Sequence, residues 1–120
     1  MQLPGVQDAT LYARAWLPEH EPRAVIVVSH GLAEHSGRYA RFAERFVAHG
    51  HAVYALDHRG HGRSTGARAK NERFSDLGSD LGTFVGRAQR QHPDATVCLV
   101  GHSMGGAIAL ATALRRPASL

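Results

Sequence analysis

The chain has 120 residues, 43% apolar and 20% charged, which suits one globular domain and excludes a disordered or low-complexity segment. The formal net charge is +4, but Lys70 is the only lysine and the arginines are scattered from Arg14 to Arg116. Without clustered cations and interleaved aromatics, nucleic-acid binding is not indicated. The single cysteine, Cys98, excludes an intrachain disulfide.

In chain order, ATLYARAW at 9–16 alternates Leu11, Ala13 and Ala15 with Tyr12, Arg14 and Trp16. A period of two predicts a strand with one wetter face. LPEHEP at 17–22 is a turn with prolines at both ends. Ala24–Val28 is continuously apolar, as in a strand of a parallel sheet buried on both faces. Tyr39, Phe42, Ala43, Phe46 and Val47 then form a helical stripe, with Ser36 as expected N-cap and Gly50 just past the end. AVYAL at 52–56 is a second short strand, followed by a polar, Gly-rich loop.

A helix is predicted from Ser75, with Phe74, Leu77, Leu81, Phe84, Val85 and Ala88 as its apolar stripe. Gly78, Gly82 and Gly86 each cost up to ~1 kcal/mol against alanine, so either something packs closely there or the helix is weak. TVCLV at 96–100 is a third buried strand, with Cys98 expected inside it as a small hydrophobe. Residues 104–116 read as a helix buried on most sides. One strand followed by three βα units predicts an α/β fold with a mostly parallel sheet, flanking helices and right-handed crossovers.

Gly101-His102-Ser103-Met104-Gly105 fits G-x-S-x-G where the third buried strand turns into a helix. A tight turn there forces the serine into an unfavourable backbone conformation and projects its hydroxyl above the sheet. Gly101 and Gly105 remove side chains that would collide with the adjoining strand and helix. The helix N-terminus favours negative charge forming at this corner. Ser103 is therefore the candidate nucleophile. An oxyanion hole needs two donors. The N–H of Met104 is one candidate, and the N–H of Leu32, in His30-Gly31-Leu32 after the first buried strand, is the other.

A phosphate-binding loop is the competing reading of Ser103, but the chain has neither G-x-x-x-x-G-K-[ST] nor a G-x-G-x-x-G after a strand. The nine histidines include His58 and His61 in one loop and His49 and His51 around Gly50. No zinc-ligand spacing is present, so no metal is expected. Asp57 ends a strand and is expected to fix the Gly-rich loop through local hydrogen bonds. The N-terminus has no basic region leading into an apolar one, and no apolar run reaches ~18 residues, so a cytoplasmic protein is expected.

SHGLAEHSGRYARFAERFVAHGHAVYALDHRGHGRSTG and VGHSMGGAIAL together resemble the monoacylglycerol lipase and lysophospholipase branch of the α/β-hydrolases, also described as serine aminopeptidase-like. The resemblance spans about residues 10–117 and rests on HG-x-x-EHSGRY, D-H-x-G-H-G-x-S and G-H-S-M-G-G. It implies Ser103 as nucleophile and the Leu32 and Met104 N–H groups as oxyanion hole. His30, Gly31, Gly101, His102 and Gly105 would be supporting motif residues. It implies small-molecule acyl-ester substrates and no organic cofactor. The residue at position 32 is often small in this family, so leucine is expected to narrow or reshape the site.

A nucleophilic serine needs a base and an orienting carboxylate, which in this fold follow the serine. Residues 104–120, MGGAIALATALRRPASL, contain no Asp, Glu or His. His102 and His30 show no obvious carboxylate partner in the sequence. The expectation is the N-terminal half of one hydrolase domain. The later strands, the triad Asp and His, and a lid that would touch lipid lie outside the chain. Alone, the chain is expected to be inactive, with the strand at 96–100 as an open apolar edge. Two alternatives stand beside it: a non-catalytic interaction module paired through that edge, and a thioesterase, peptidase or acyltransferase on the same scaffold.

Overall fold

The computed structural model describes residues 1–6, 9–66 and 74–115. Its strands are β1 (Gln2–Pro4), β2 (Thr10–Trp16), β3 (Ala24–Ser29), β4 (Ala52–Leu56) and β5 (Thr96–Gly101). Its helices are α1 (Ala40–Ala48), α2 (Phe74–Gln91) and α3 (Met104–Arg115). The strands form one mixed sheet in the order β1-β2-β4-β3-β5. β4, β3 and β5 are parallel, while β1 and β2 join antiparallel at one side. The short β1 carries no sequence period of its own. It pairs Leu3 with Leu11, so that Leu3 is buried.

β3 lies between β4 and β5 and alternates its valines and isoleucine between two cores. Val25 and Val27 point to the face covered by α2 and α3, where Leu77, Leu81, Phe84, Val85, Ala88 and Ile108 pack. Ile26 and Val28 point to the other face, with Val53, Ala55, Ala43, Trp16, Tyr39 and Phe42. Coverage on both faces is the reason β3 and β4 read as continuous apolar runs.

Four expectations are corrected. Ser36 does not cap α1. It begins a 3₁₀ turn, Ser36–Tyr39, capped by His35, whose Nδ1 accepts from the Gly37 N–H. Ser36 is instead buried, its N–H donating to Asp57 Oδ1 at 2.6 Å and its Oγ accepting from Arg14 Nε at 3.1 Å. Cys98 is exposed rather than buried. By register it shares the face of Ile26, but α1 packs chiefly on β4 and β2, away from the β5 edge. α3 buries one stripe, Gly105, Ile108, Ala109 and Thr112, and leaves Leu110 and Leu114 exposed on the other side. Phe46 and Phe74, placed on apolar stripes by periodicity, are also exposed. Gly50, at φ +86°, ends α1 as its spacing predicts. Gly78 lies where α3 packs on α2, its carbonyl accepting from Thr112 Oγ1 at 3.4 Å.

Candidate active site

β5 and α3 are separated only by His102 and Ser103. Ser103 has φ +56°, a left-handed conformation that costs a non-glycine residue roughly 1–2 kcal/mol. The turn is tied by His102 N–H to the Ser29 carbonyl at 3.1 Å and by Gly106 N–H to the Ser103 carbonyl at 2.9 Å. The two flanking glycines have separate steric reasons. A β-carbon on Gly105 would overlap the carbonyl oxygens of Ser29 and His30 at the end of β3. One on Gly101 would stand 2.5 Å from the Gly106 α-carbon in α3. Ser103 is exposed, and its hydroxyl bonds to no other protein group among the described residues.

The loop after β3 lies against this turn. A β-carbon on Gly31 would be 3.2 Å from both the His102 carbonyl and its Nδ1, so His30-Gly31-Leu32 and the serine corner touch. A tight turn follows, closed by Glu34 N–H to the Gly31 carbonyl at 3.2 Å, with Ala33 at φ +61°. Within it the Leu32 N–H is not taken by another protein group among the described residues. Met104 opens α3, so its N–H has no partner within the helix. The two proposed donors are therefore free N–H groups on two contacting segments. The Leu32 side chain is 52% exposed beside them.

His30 is scaffold. It is buried, its Nε2 accepts from the His58 N–H at 3.0 Å, and its Nδ1 lies 2.7 Å from the Gly31 carbonyl. A backbone N–H only donates, so Nδ1 carries the ring proton and donates to Gly31. Burial lowers the pKa of His30, and it pushes that of His58 well down. His58 Nε2 is 2.9 Å from Ser29 Oγ, and the His30 ring packs on His58 and His61 at centroid distances of 4.5 and 5.2 Å. These histidines pack on one another beside the loop after β3. No group of three or more His, Cys, Asp or Glu side chains converges as a metal site among the described residues.

Asp57 fixes the Gly-rich loop as its position suggests. Burial opposes its charge, but the N–H groups of Arg63 at 3.0 Å and Ser36 at 2.6 Å outweigh burial and hold its carboxyl below the usual range. Ser64 Oγ donates to the Asp57 carbonyl at 2.6 Å and accepts from the Tyr12 N–H at 2.9 Å, joining the loop to β2.

One expectation about the site is corrected. His102 does have a carboxylate partner: its Nδ1 is 3.3 Å from Glu34 Oε1. The same oxygen accepts from the Gly31 N–H at 2.7 Å and the Tyr39 hydroxyl at 3.1 Å. The spacing Gly31-x-x-Glu34 is visible in the sequence, but the partner across the sheet is not.

A mixed sheet covered on both faces, with a left-handed serine between a parallel strand and a helix, defines an α/β-hydrolase architecture. Residues 20–120 match the family model described as serine aminopeptidase, S33, and the chain belongs to that family. It is 47% identical over 113 residues to a monoacylglycerol lipase of Mycolicibacterium smegmatis, covering 94% of this chain and 40% of that protein. It is 45% identical over 107 residues to the human monoglyceride lipase, covering 89% of this chain and 35% of that protein. Among solved structures it superposes on a thermostable carboxyl esterase from Bacillus coagulans with a TM-score of 0.91 at 29% identity, covering 100% of this chain and 41% of that one. The chain thus spans well under half the length of these relatives. No helix among the described residues is long and apolar enough to cross a membrane.

Proposed function

We propose that this chain carries the nucleophile and oxyanion hole of a serine hydrolase acting on monoacylglycerol-like or lysophospholipid-like carboxylic esters. The observation that carries the reading is the conformation of Ser103. A non-glycine residue held at φ +56° between two sterically required glycines is strain without a packing reason, and such strain collects at functional sites. Similarity to two monoacylglycerol lipases supports the substrate class.

In this reading Ser103 Oγ attacks the ester carbonyl carbon and gives its proton to a base. The carbonyl oxygen, now an anion, accepts from the Leu32 and Met104 N–H groups at the positive end of α3. Collapse expels the alcohol, which takes the proton from the base, and leaves an acyl-enzyme that water hydrolyses. The base and its carboxylate belong to residues outside this chain, which is then the N-terminal part of one domain. The exposed edge of β5 and the bare Leu110 and Leu114 support that division. The enzyme works in the cytoplasm in this reading, and meets lipid through a lid in the rest of the domain.

The test is a fluorophosphonate probe on the full-length protein. Rapid labelling lost in Ser103→Ala is expected. Labelling that survives the substitution sinks the assignment. The 120-residue chain should label at least about a hundredfold more slowly, since it lacks a general base.

A further inference from the structure

We propose that Glu34 is a positioning residue that clamps the oxyanion loop onto the serine corner, an inference that rests on the reading of Ser103, Leu32 and Met104 above. One oxygen, Oε1, gathers donors from three segments. They are the Gly31 N–H of the loop after β3, the Tyr39 hydroxyl of the 3₁₀ turn, and the His102 ring of the serine corner. The two N–H groups of the oxyanion hole sit on two of these segments. Their separation is therefore set through Glu34.

The local geometry shows what the clamp does. Gly31 and Glu34 bond reciprocally: Glu34 N–H donates to the Gly31 carbonyl at 3.2 Å, and Gly31 N–H donates to the Glu34 carboxylate at 2.7 Å. Leu32 and Ala33 are held between them. Ala33 pays for a left-handed φ of +61°, and a strained residue persists only where its surroundings over-determine it. The reciprocal pair supplies that constraint and leaves the Leu32 N–H unbonded.

Glu34 does not fill a core, since its side chain is 19% exposed. The Gly31 N–H is the largest influence holding its carboxyl below the usual range, so it is charged at neutral pH. A charge beside a developing oxyanion is unfavourable in itself. Reach, rather than charge, is what the clamp requires.

The experiment compares Glu34→Gln, Glu34→Asp and Glu34→Ala in the full-length protein, with Ser103→Ala alongside, using a p-nitrophenyl ester. Glutamine keeps an acceptor oxygen at the same reach, and kcat is expected within about threefold of the parent. Aspartate keeps the charge but is one methylene short. Asp and Ala are expected to lower kcat roughly tenfold to a hundredfold, with KM within about threefold, as for a displaced oxyanion donor. Because the Asp and Gln variants both keep a side-chain acceptor oxygen and differ in reach, the contrast survives if the alanine variant fails to fold. Parental kcat in Asp and Ala, or a loss carried by KM, overturns the proposal while Ser103 stands. So does a glutamine variant as poor as alanine. Activity that persists in Ser103→Ala overturns the reading of the site, and the role of Glu34 falls with it.

Discussion

The α-carbon of Gly105 is packed so closely on the Ser29 carbonyl that no side chain of any kind fits between α3 and the end of β3. Its neighbour Gly106 is different: a β-carbon there would stand 3.5 Å from the Gly101 carbonyl oxygen, an ordinary contact. Gly105→Ala should therefore cost about 3 kcal/mol or more, because backbone rather than a flexible side chain must move. Gly106→Ala should be neutral, or stabilising by up to ~1 kcal/mol through helix propensity. Urea unfolding of both variants checks this. Equal effects would mean that α3 does not press on β3 as described.

Ser103 separates stability from reactivity. Glycine accepts φ +56° without strain, so Ser103→Gly should raise stability by roughly 1 kcal/mol while abolishing probe labelling. Thermal unfolding and fluorophosphonate labelling on the same samples read both quantities. A destabilised Ser103→Gly would show that the serine is held there by contacts rather than against its preference.

Sequence pattern placed β2, α1 and α2 through their period, β3, β4 and β5 as short, bounded apolar runs, and α3 as a longer Ala- and Leu-rich run. It also placed the serine corner through G-x-S-x-G, whose glycine spacing reports the steric contacts found at Gly101 and Gly105. It missed β1, whose three residues carry no period, and it misjudged Cys98 and Leu110, whose burial depends on neighbours rather than on the residues themselves. Ser36 looked like a cap because serine before a helical stripe commonly is one. Its partners, Asp57 and Arg14, are 21 and 22 residues away in sequence, and no local pattern reports them. The bond between Glu34 and His102 was hidden for the same reason, at a separation of 68 residues.

The buried histidines make stability depend on pH. His30 and His58 have pKa values in the folded state below the ordinary 6.5, burial being the main cause. The unfolded chain then binds more protons than the folded one below pH 6.5. Their stabilising share is complete above that pH and is lost as pH falls toward the folded values. Each contributes a slope of up to about 1.4 kcal/mol per pH unit in that range. Unfolding free energy measured at pH 7.5 and 5.5 should fall, and His58→Gln should reduce the fall. An unchanged pH dependence in that variant would mean that His58 is protonated in place.

The exposed edge offers the last test. Cys98 is exposed on the outermost strand, on the face of Ile26 but beyond the strands on which α1 chiefly packs. If further chain completes the sheet, a strand will pair with β5, and new structure will cover this face. A maleimide should label Cys98 in the 120-residue chain at the rate of an unhindered thiol. In a longer protein carrying the same residues, labelling under native conditions should slow at least about tenfold and recover in denaturant. Slow labelling in the longer protein, with fast labelling in the short one, would locate the missing part of the domain on β5. Equal, fast labelling in both would mean that the face stays open in the whole protein, and the division of the domain at β5 would then be wrong.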